Sequence, residues 1–426
     1  MISKLKNIAN TADKKRLLSN FFSLSLLQTF TYILPLLTLP YLVRVLGVEN
    51  FGLVMFAQAF IMFFNILVDF GFNLSATREV SINRDDKEKI TEIFSSVMSI
   101  KFILIIVSFV ILSVVVFSFE KFSSNWELYL LTFLMIIGQA LFPVWYFQGL
   151  ERMKYITIVN ITSKLIFTLA IFAFIHNEDD YMLVPLLNGL GFIVGGIYSL
   201  WIISKHFHQK FIFQSKEAIM IHFKDSSQFF LSRLSVSIYT STNAFVLGIF
   251  TNNTMVGYYS IAEKLYSAMQ GVYQPIINTV YPYLSKNKNI LFYTKLFVVI
   301  CVMNITGVII VYLFSVEIID IMFNIASAEV NTILLIFVTS SILHVPAILL
   351  GYPLLAAFGY PKYANLSVIY SSIFHLMGLV FLVLLNQIDI YSIAYMVLAT
   401  ESVVFFTRLY YAKKSKLIFN NNYKNE

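Results

Sequence analysis

Residues 17–43 read LLSNFFSLSLLQTFTYILPLLTLPYLV and hold no Asp, Glu, Lys or Arg. A helix crosses the hydrocarbon core of a bilayer in about 20 apolar residues, and this run is longer than that. It is also too long for the apolar region of a signal peptide. After the polar, basic stretch MISKLKNIANTADKKR it is therefore expected to be a retained first transmembrane helix. The rest of the 426-residue chain has the same character, with 58% hydrophobic, 16% aromatic and only 12% charged residues and a mean hydropathy of +0.77. A soluble globule, about a quarter charged, needs more polar surface than this. The class implied is all-α integral membrane.

The length rule marks twelve spans, near 17–43, 51–72, 90–118, 126–148, 154–175, 181–203, 224–250, 254–282, 291–315, 329–355, 363–385 and 389–411. Short turns, RVLGVEN and TNNT, join the first span to the second and the seventh to the eighth. Most of the 30 basic residues fall in the terminal segments and alternate connections, Arg408 among them, while the opposite connections keep Arg44 and Lys121 and include the acidic HNEDD and VEIID. Positive charge marks the cytoplasmic side, so both termini are expected there. Topology and anionic lipid then account for the net charge of +7, leaving no case for nucleic-acid binding.

An internal repeat is visible. FGLVMFAQAF and VGYYSIAEKL align Gly52, Ala57 and Gln58 with Gly257, Ala262 and Glu263. FPVWYFQGLERMKY and YPLLAAFGYPKY, at nearly the same spacing, align Pro143, Gly149, Lys154 and Tyr155 with Pro353, Gly359, Lys362 and Tyr363. The expected fold is two pseudo-symmetric six-helix bundles, an N-terminal lobe over 1–203 and a C-terminal lobe over 224–426. The basic, aromatic segment 204–223 is the cytoplasmic linker. Parallel repeats of this kind commonly place a substrate site at their interface.

Four basic residues sit within predicted spans: Lys101, Lys164, Arg233 and Lys264. A charge at the bilayer centre costs about 2.5–3.5 kcal/mol on insertion scales, so such residues usually face a bundle interior or a wet cavity. Polar residues recur at helical spacing beside them: Gln58, Asn65 and Asp69 in the second span, Asn160 and Lys164 in the fifth, Arg233 and Ser237 in the seventh, and Ser260, Lys264, Ser267 and Gln274, with Gly271, on one face of the eighth. These residues could instead pair with one another and lock helices together, Glu263 with Arg233 for example. Acidic residues at mid-depth are fewer, Glu263 and Glu401. The excess of positive charge favours an anionic ligand such as a diphosphate, which Arg and Lys hold by forked and point contacts.

Several signals carry no function. DFG at 69–71 lacks the other parts of a kinase, and no phosphate loop with its lysine is present, so ATP hydrolysis is not expected. The single cysteine, Cys301, excludes an intrachain disulfide and a cysteine metal cluster. His206 and His208 read as a solvated face rather than a metal pair, and His344 and His375 lie within spans. Neither a cofactor nor a metal site is expected.

Residues 34–86 carry a longer pattern, L-P-x-L-x-R-x-L-G-x-E-x-F-G at Leu39, Pro40, Leu42, Arg44, Leu46, Gly47, Glu49, Phe51 and Gly52. It continues with D-F-G-F at 69–72 and A-T-R-E at 76–79. In this it resembles Wzx-type polysaccharide flippases of the MATE-like exporter superfamily. The resemblance implies movement of undecaprenyl-diphosphate-linked oligosaccharide to the periplasmic leaflet of a bacterial inner membrane, for O-antigen or capsule synthesis. It implies a V-shaped central cavity whose basic residues, with Lys101, Lys164, Arg233 and Lys264 as candidates, take the anionic head group. Glu263 and Glu401 are candidates for ion coupling. The lipid-linked oligosaccharide, membrane lipids, and the polysaccharide polymerase with its chain-length machinery are the implied partners. A cation-coupled multidrug exporter of the same superfamily is the alternative, although the first span lacks the acidic residue expected there. An enzyme such as a membrane glycosyltransferase would need a large outside loop or paired carboxylates, and every outside connection is short.

Overall fold

The computed structural model describes residues 12–325 and 327–418, without the side chains of 12–21, 24, 25 and 231–241. Apolar sequence forms helix almost throughout, because backbone groups inside a bilayer must satisfy one another. The helices are α1 (Ala12–Asp69), α2 (Phe72–Ile82), α3 (Lys87–Ser118), the single turn α4 (Glu120–Ser123), α5 (Trp126–Ala140), α6 (Val144–Gly149), α7 (Met153–Phe174) and α8 (Leu183–His206). Then come α9 (Lys216–Phe250), α10 (Asn253–Gly271), α11 (Gln274–Asn287), α12 (Ile290–Phe323), α13 (Ala328–Leu349), α14 (Pro361–Leu384) and α15 (Ile390–Lys414). A 3-10 turn (Glu178–Met182) precedes α8, and a π-helical segment (Leu350–Ala356) follows α13.

Each of the twelve expected spans falls on helix. Nine helical runs among the described residues are long and apolar enough to cross a membrane, and the first, Leu26–Ile82, takes in the second expected span whole and much of the first. The RVLGVEN turn is a kink within α1, made at Gly47 with φ 71°. The spans expected at 224–250 and 254–282 correspond to α9 and to α10 with α11, which are richer in polar residues than the other spans.

Contacts divide the chain into two compact units. The first comprises 1–38, 45–47 and 56–237, the second 39–44, 48–55 and 238–426. Within the first, α5 packs on α8, α7 on α8 and α3 on α5; within the second, α13 packs on α15, α14 on α15 and α12 on α13. The same partners recur six spans later, so the repeat read in the sequence is also a repeat of helix pairings. Its local register differs from the glycine alignment. The left-handed residue closing the first copy is Glu151 (φ 56°), which answers to Gly359 (φ 103°). The residue after each donates its N–H five residues back, Arg152 to Phe147 and Tyr360 to Leu355, both at 2.8 Å. The Lys-Tyr pairs match on that register and Gly149 does not, because the π-helical segment spaces the second copy differently.

Two close approaches explain glycines of the sequence pattern. Within the second unit, a Cβ on Gly52 would lie 1.8 Å from the Asn253 carbonyl oxygen, and one on Gly257 would lie 2.4 Å from the Val48 carbonyl oxygen. The two repeat-related glycines therefore share one helix crossing. Within the first unit, the D-F-G-F turn ends α1. Phe70 stacks on Phe223 and Phe230 at 4.6 and 4.8 Å, and Gly71 (φ 78°) lets the backbone approach the Phe230 nitrogen, 2.8 Å from where a Cβ would stand.

The linker is tied to the first unit. Gln209 donates to the Thr91 hydroxyl at 2.8 Å, and the Ile212 N–H donates to the Ser95 hydroxyl at 3.1 Å. His222, only 3% exposed, sits between Glu79 (2.8 Å) and Glu92 (3.3 Å). Burial opposes its protonation, but hydrogen bonds and charge from the two carboxylates prevail and raise its pKa above 6.5. The glutamate of the A-T-R-E motif thus has a structural partner. Arg408, counted above as a cytoplasmic flank, is instead 7% exposed and donates to the Ser367 hydroxyl at 2.9 Å and the Ala347 carbonyl at 2.8 Å. Its place near a span end concealed an inward-pointing side chain.

Two tests follow from this packing. Gly257→Val should cost about 1–3 kcal/mol by overpacking and lower the thermal unfolding midpoint in detergent; an unchanged midpoint would contradict the crossing. A histidine whose pKa is raised on folding stabilises fully below its unfolded value and loses that contribution as pH rises through the folded one. Hydrogen exchange over residues 204–223 should therefore speed up as pH rises above about 6.5 beyond its intrinsic rise, and His222→Gln should remove that excess.

Candidate functional site

A cavity of about 400 Å³ lies within the first unit. Asn65 and Asp69 reach it from α1, Asn73 from α2, Lys101 from α3, Gln139 from α5, and Asn160 and Lys164 from α7. The arrangement follows from helical spacing. Asn65 and Asp69 are one turn apart at the end of α1, and Asn160 and Lys164 are one turn apart on α7. Five residues singled out in the sequence are thus brought together.

Each charge in this cavity is compensated differently. Lys101 is 4% exposed, and its Nζ lies 3.9 Å from an Asp69 carboxylate oxygen. Asp69 also accepts a hydrogen bond from Asn73. Lys164 donates to the Thr31 hydroxyl at 2.9 Å, and Asn160 donates to the Ile156 carbonyl at 3.0 Å. Two ammonium groups thus face the cavity against one carboxylate, with four side-chain amides around them. An anion entering it meets a point charge and several neutral donors, the donor set suited to phosphate oxygens. Lys101 lies about 16 Å from the expected cytoplasmic end of its span at 1.5 Å per residue, half way through a core about 30 Å thick.

Thr31, Asn73 and Gln139 were missed in the sequence. Asn73 stands one turn beyond Asp69 across a helix break, and that spacing was the available signal. Gln139 sits just before the break at Leu141–Pro143 that ends α5.

The remaining candidates lie elsewhere. Gln58 is half-buried, two turns before Asn65 on α1 and outside the set lining the cavity. On α10 the expected polar stripe divides: Ser260 and Gly271 are buried, Glu263 is half-buried, and Lys264 and Ser267 are exposed. Gln274 opens α11 and donates to Asn278 at 3.2 Å. The side chains of Arg233 and Ser237 lie outside the described residues, so the pairing of Glu263 with Arg233 does as well.

Glu401 belongs to a buried polar cluster of the second unit. Its carboxylate lies 2.8 Å from His344 Nδ1. The neighbouring Thr400 hydroxyl lies 2.8 Å from Nδ1 of His375, whose Nε2 lies 2.9 Å from the Asn243 side-chain oxygen. His375 is fully buried, whereas the His344 side chain keeps 25% of its exposure. The Glu401–His344 pair and the Thr400–His375–Asn243 group are two neighbouring sets of hydrogen-bonded side chains contributed by four helices, α9, α13, α14 and α15.

Comparison with known proteins bears on both units. The profile of the family described as "Polysaccharide biosynthesis protein" matches residues 17–288. A protein of Escherichia coli (strain K12) named "Putative O-antigen transporter" is 31% identical over 278 residues, 64% of this chain and 66% of that protein. The protein of the same name from Shigella dysenteriae is 29% identical over 277 residues, 65% of this chain and 69% of that one. Just under two thirds of the Escherichia coli relative is therefore matched. Among solved structures, "Lipid II flippase MurJ, inward closed conformation" superposes with a TM-score of 0.73 at 15% identity, covering 91% of this chain and 87% of that one. An inward-facing multidrug resistance MATE family transporter of the MOP superfamily gives 0.63 at 13%, covering 91% and 96%. At such identities the likeness shows the fold alone, an all-α bundle like that of these two transport proteins.

The Lys101–Asp69 pair predicts an asymmetry. Asp69→Ala leaves a buried ammonium without its carboxylate and should cost about 3 kcal/mol, the lower end of the range for breaking a buried pair, because Asp69 is itself 19% exposed. Lys101→Met leaves Asp69 with Asn73 and cavity water and should cost less. Thermal unfolding of both variants and the double variant in detergent measures this; equal single losses would refute the asymmetry, and additive losses in the double variant would refute the pairing.

Proposed function

The chain belongs to the polysaccharide biosynthesis protein family, and on that footing we propose that it is a flippase for undecaprenyl-diphosphate-linked oligosaccharide repeat units. It moves them from the cytoplasmic to the periplasmic leaflet of a bacterial inner membrane, for O-antigen or capsule synthesis. The observation that carries this reading is the mid-depth cavity with Lys101 and Lys164 facing it. A diphosphate has little reason to enter hydrocarbon unless buried cations replace its hydration. Lys101 offers a charge already half-neutralised by Asp69, so an incoming phosphate competes with a carboxylate rather than filling an empty trap. That keeps binding reversible, as transport requires.

In this mechanism access alternates between the two membrane faces, with both termini on the cytoplasmic side. Protonation of Glu401, relayed through His344, supplies a means of coupling to the proton gradient, and Glu263 is a second titratable group. Polysaccharide polymerase and chain-length machinery act on the delivered product. The reading as a cation-coupled drug exporter is disfavoured by the excess of ammonium over carboxylate in the cavity and by the uncharged first span.

The decisive experiment measures how lipid-linked oligosaccharide is distributed between leaflets in cells lacking the protein, probed with a glycosidase confined to the periplasm. Accumulation on the cytoplasmic side is expected, relieved by the wild-type chain. Lys101→Ala and Lys164→Ala, inserted normally, should each restore transport at least about tenfold less well, the equivalent of about 1.4 kcal/mol of lost head-group interaction. An unchanged distribution, accompanied by new sensitivity to cationic drugs, would instead support the exporter.

A further inference from the structure

A second and larger cavity, about 980 Å³, adjoins the first within the same unit. Its walls are mostly apolar, with Phe102 and Ile103 of α3, Leu141 beyond the end of α5, Leu200 of α8 and Phe211 of the linker, and Gln209 and Lys210 bring polar groups to its linker end. Phe102 and Ile103 are 65% and 53% exposed on a membrane-spanning helix, so this side of the cavity opens toward lipid. Lys101 and Ala140 line both cavities. At this shared wall Ala140 contributes only a methyl group, and α5 ends there, shortly before Pro143.

A polar cavity and an apolar one that meet at a buried ammonium match an amphiphile with an anionic head and a long hydrocarbon tail. We propose that the apolar cavity receives the isoprenoid chain of the lipid-linked substrate while its diphosphate rests at Lys101. This assignment deepens the flippase reading and rests on it. The occupant is the substrate lipid rather than a resident phospholipid because of depth. A phospholipid would keep its head group at the linker end, where Lys210 lines the cavity, whereas Lys101 stands half way down its span. Only a lipid whose head is drawn into the protein brings an anion to that level with its chain alongside.

The test uses the full chain in vesicles of phosphatidylethanolamine and phosphatidylglycerol, with undecaprenyl diphosphate bearing a photoreactive group in mid-chain. Cross-links are expected on peptides covering residues 94–105 and 200–213, displaced by unlabelled undecaprenyl diphosphate and not by added phosphatidylglycerol. Labelling elsewhere, or equal displacement by phosphatidylglycerol, would overturn the proposal. Filling the cavity with Ile103→Trp and Leu200→Trp together should lower labelling by about tenfold, one factor of ten in affinity. The Ile103→Val, Leu200→Val protein, which keeps the cavity open, should label normally, so misfolding would be recognised. The leaflet assay separates the two readings. If the wild-type chain moves no oligosaccharide, the flippase reading falls while the labelling still decides the cavity. If the tryptophan variant transports as well as wild type, the cavity assignment falls alone.

Discussion

A charged group in the middle of a membrane must find an opposite charge, a wet cavity or both, and Lys101 finds both. That requirement organises the first unit. It brings the end of α1 against α3 so that Asp69 can face the ammonium, and the D-F-G-F turn that follows is fixed by Phe70 stacking and the close approach at Gly71. The amides of Asn65, Asn73, Gln139 and Asn160 then share the polar space the pair opens. Removing the charge would leave little reason for so many hydrogen-bonding groups to converge at that depth.

The second unit repeats the helix pairings but not this chemistry. Where the first has ammonium groups around a cavity, the second pairs Glu401 with His344 and His375 with Asn243, with Arg408 anchoring α15 to α13 and α14. Duplicated helices have kept the packing that holds a bundle together and diverged in the polar residues, which packing constrains least.

Much of the fold was legible because hydropathy reports where a chain crosses a membrane. Each expected span falls on helix, and the repeat anticipated the recurring pairs. Hydropathy gives depth along a helix and says little about which way a side chain points, and the departures share that cause. Arg408 stands near a span end yet turns inward to the Ala347 carbonyl. Lys264 and Ser267 share a helical face with the buried Ser260 but are exposed. Lys101, Lys164, Asn65, Asp69 and Asn160 were visible as polar exceptions in apolar runs, whereas Thr31 and Gln139 look ordinary until their partners are known. The π-helical segment at 350–356 had no sequence signal beyond Gly351 and Pro353, and it shifted the register of the second copy.

The contact between Gly52 and Gly257 has an evolutionary reading. They occupy the same place in the two copies of the repeat, and each lies against the backbone beside the other. An ancestor with a single six-helix unit would have set this glycine against its own counterpart across a two-fold axis, as isologous dimers do. In such a dimer one mutation strikes the contact twice. In one chain the two sides of the contact can change separately, and a side chain on either glycine alone would already meet backbone.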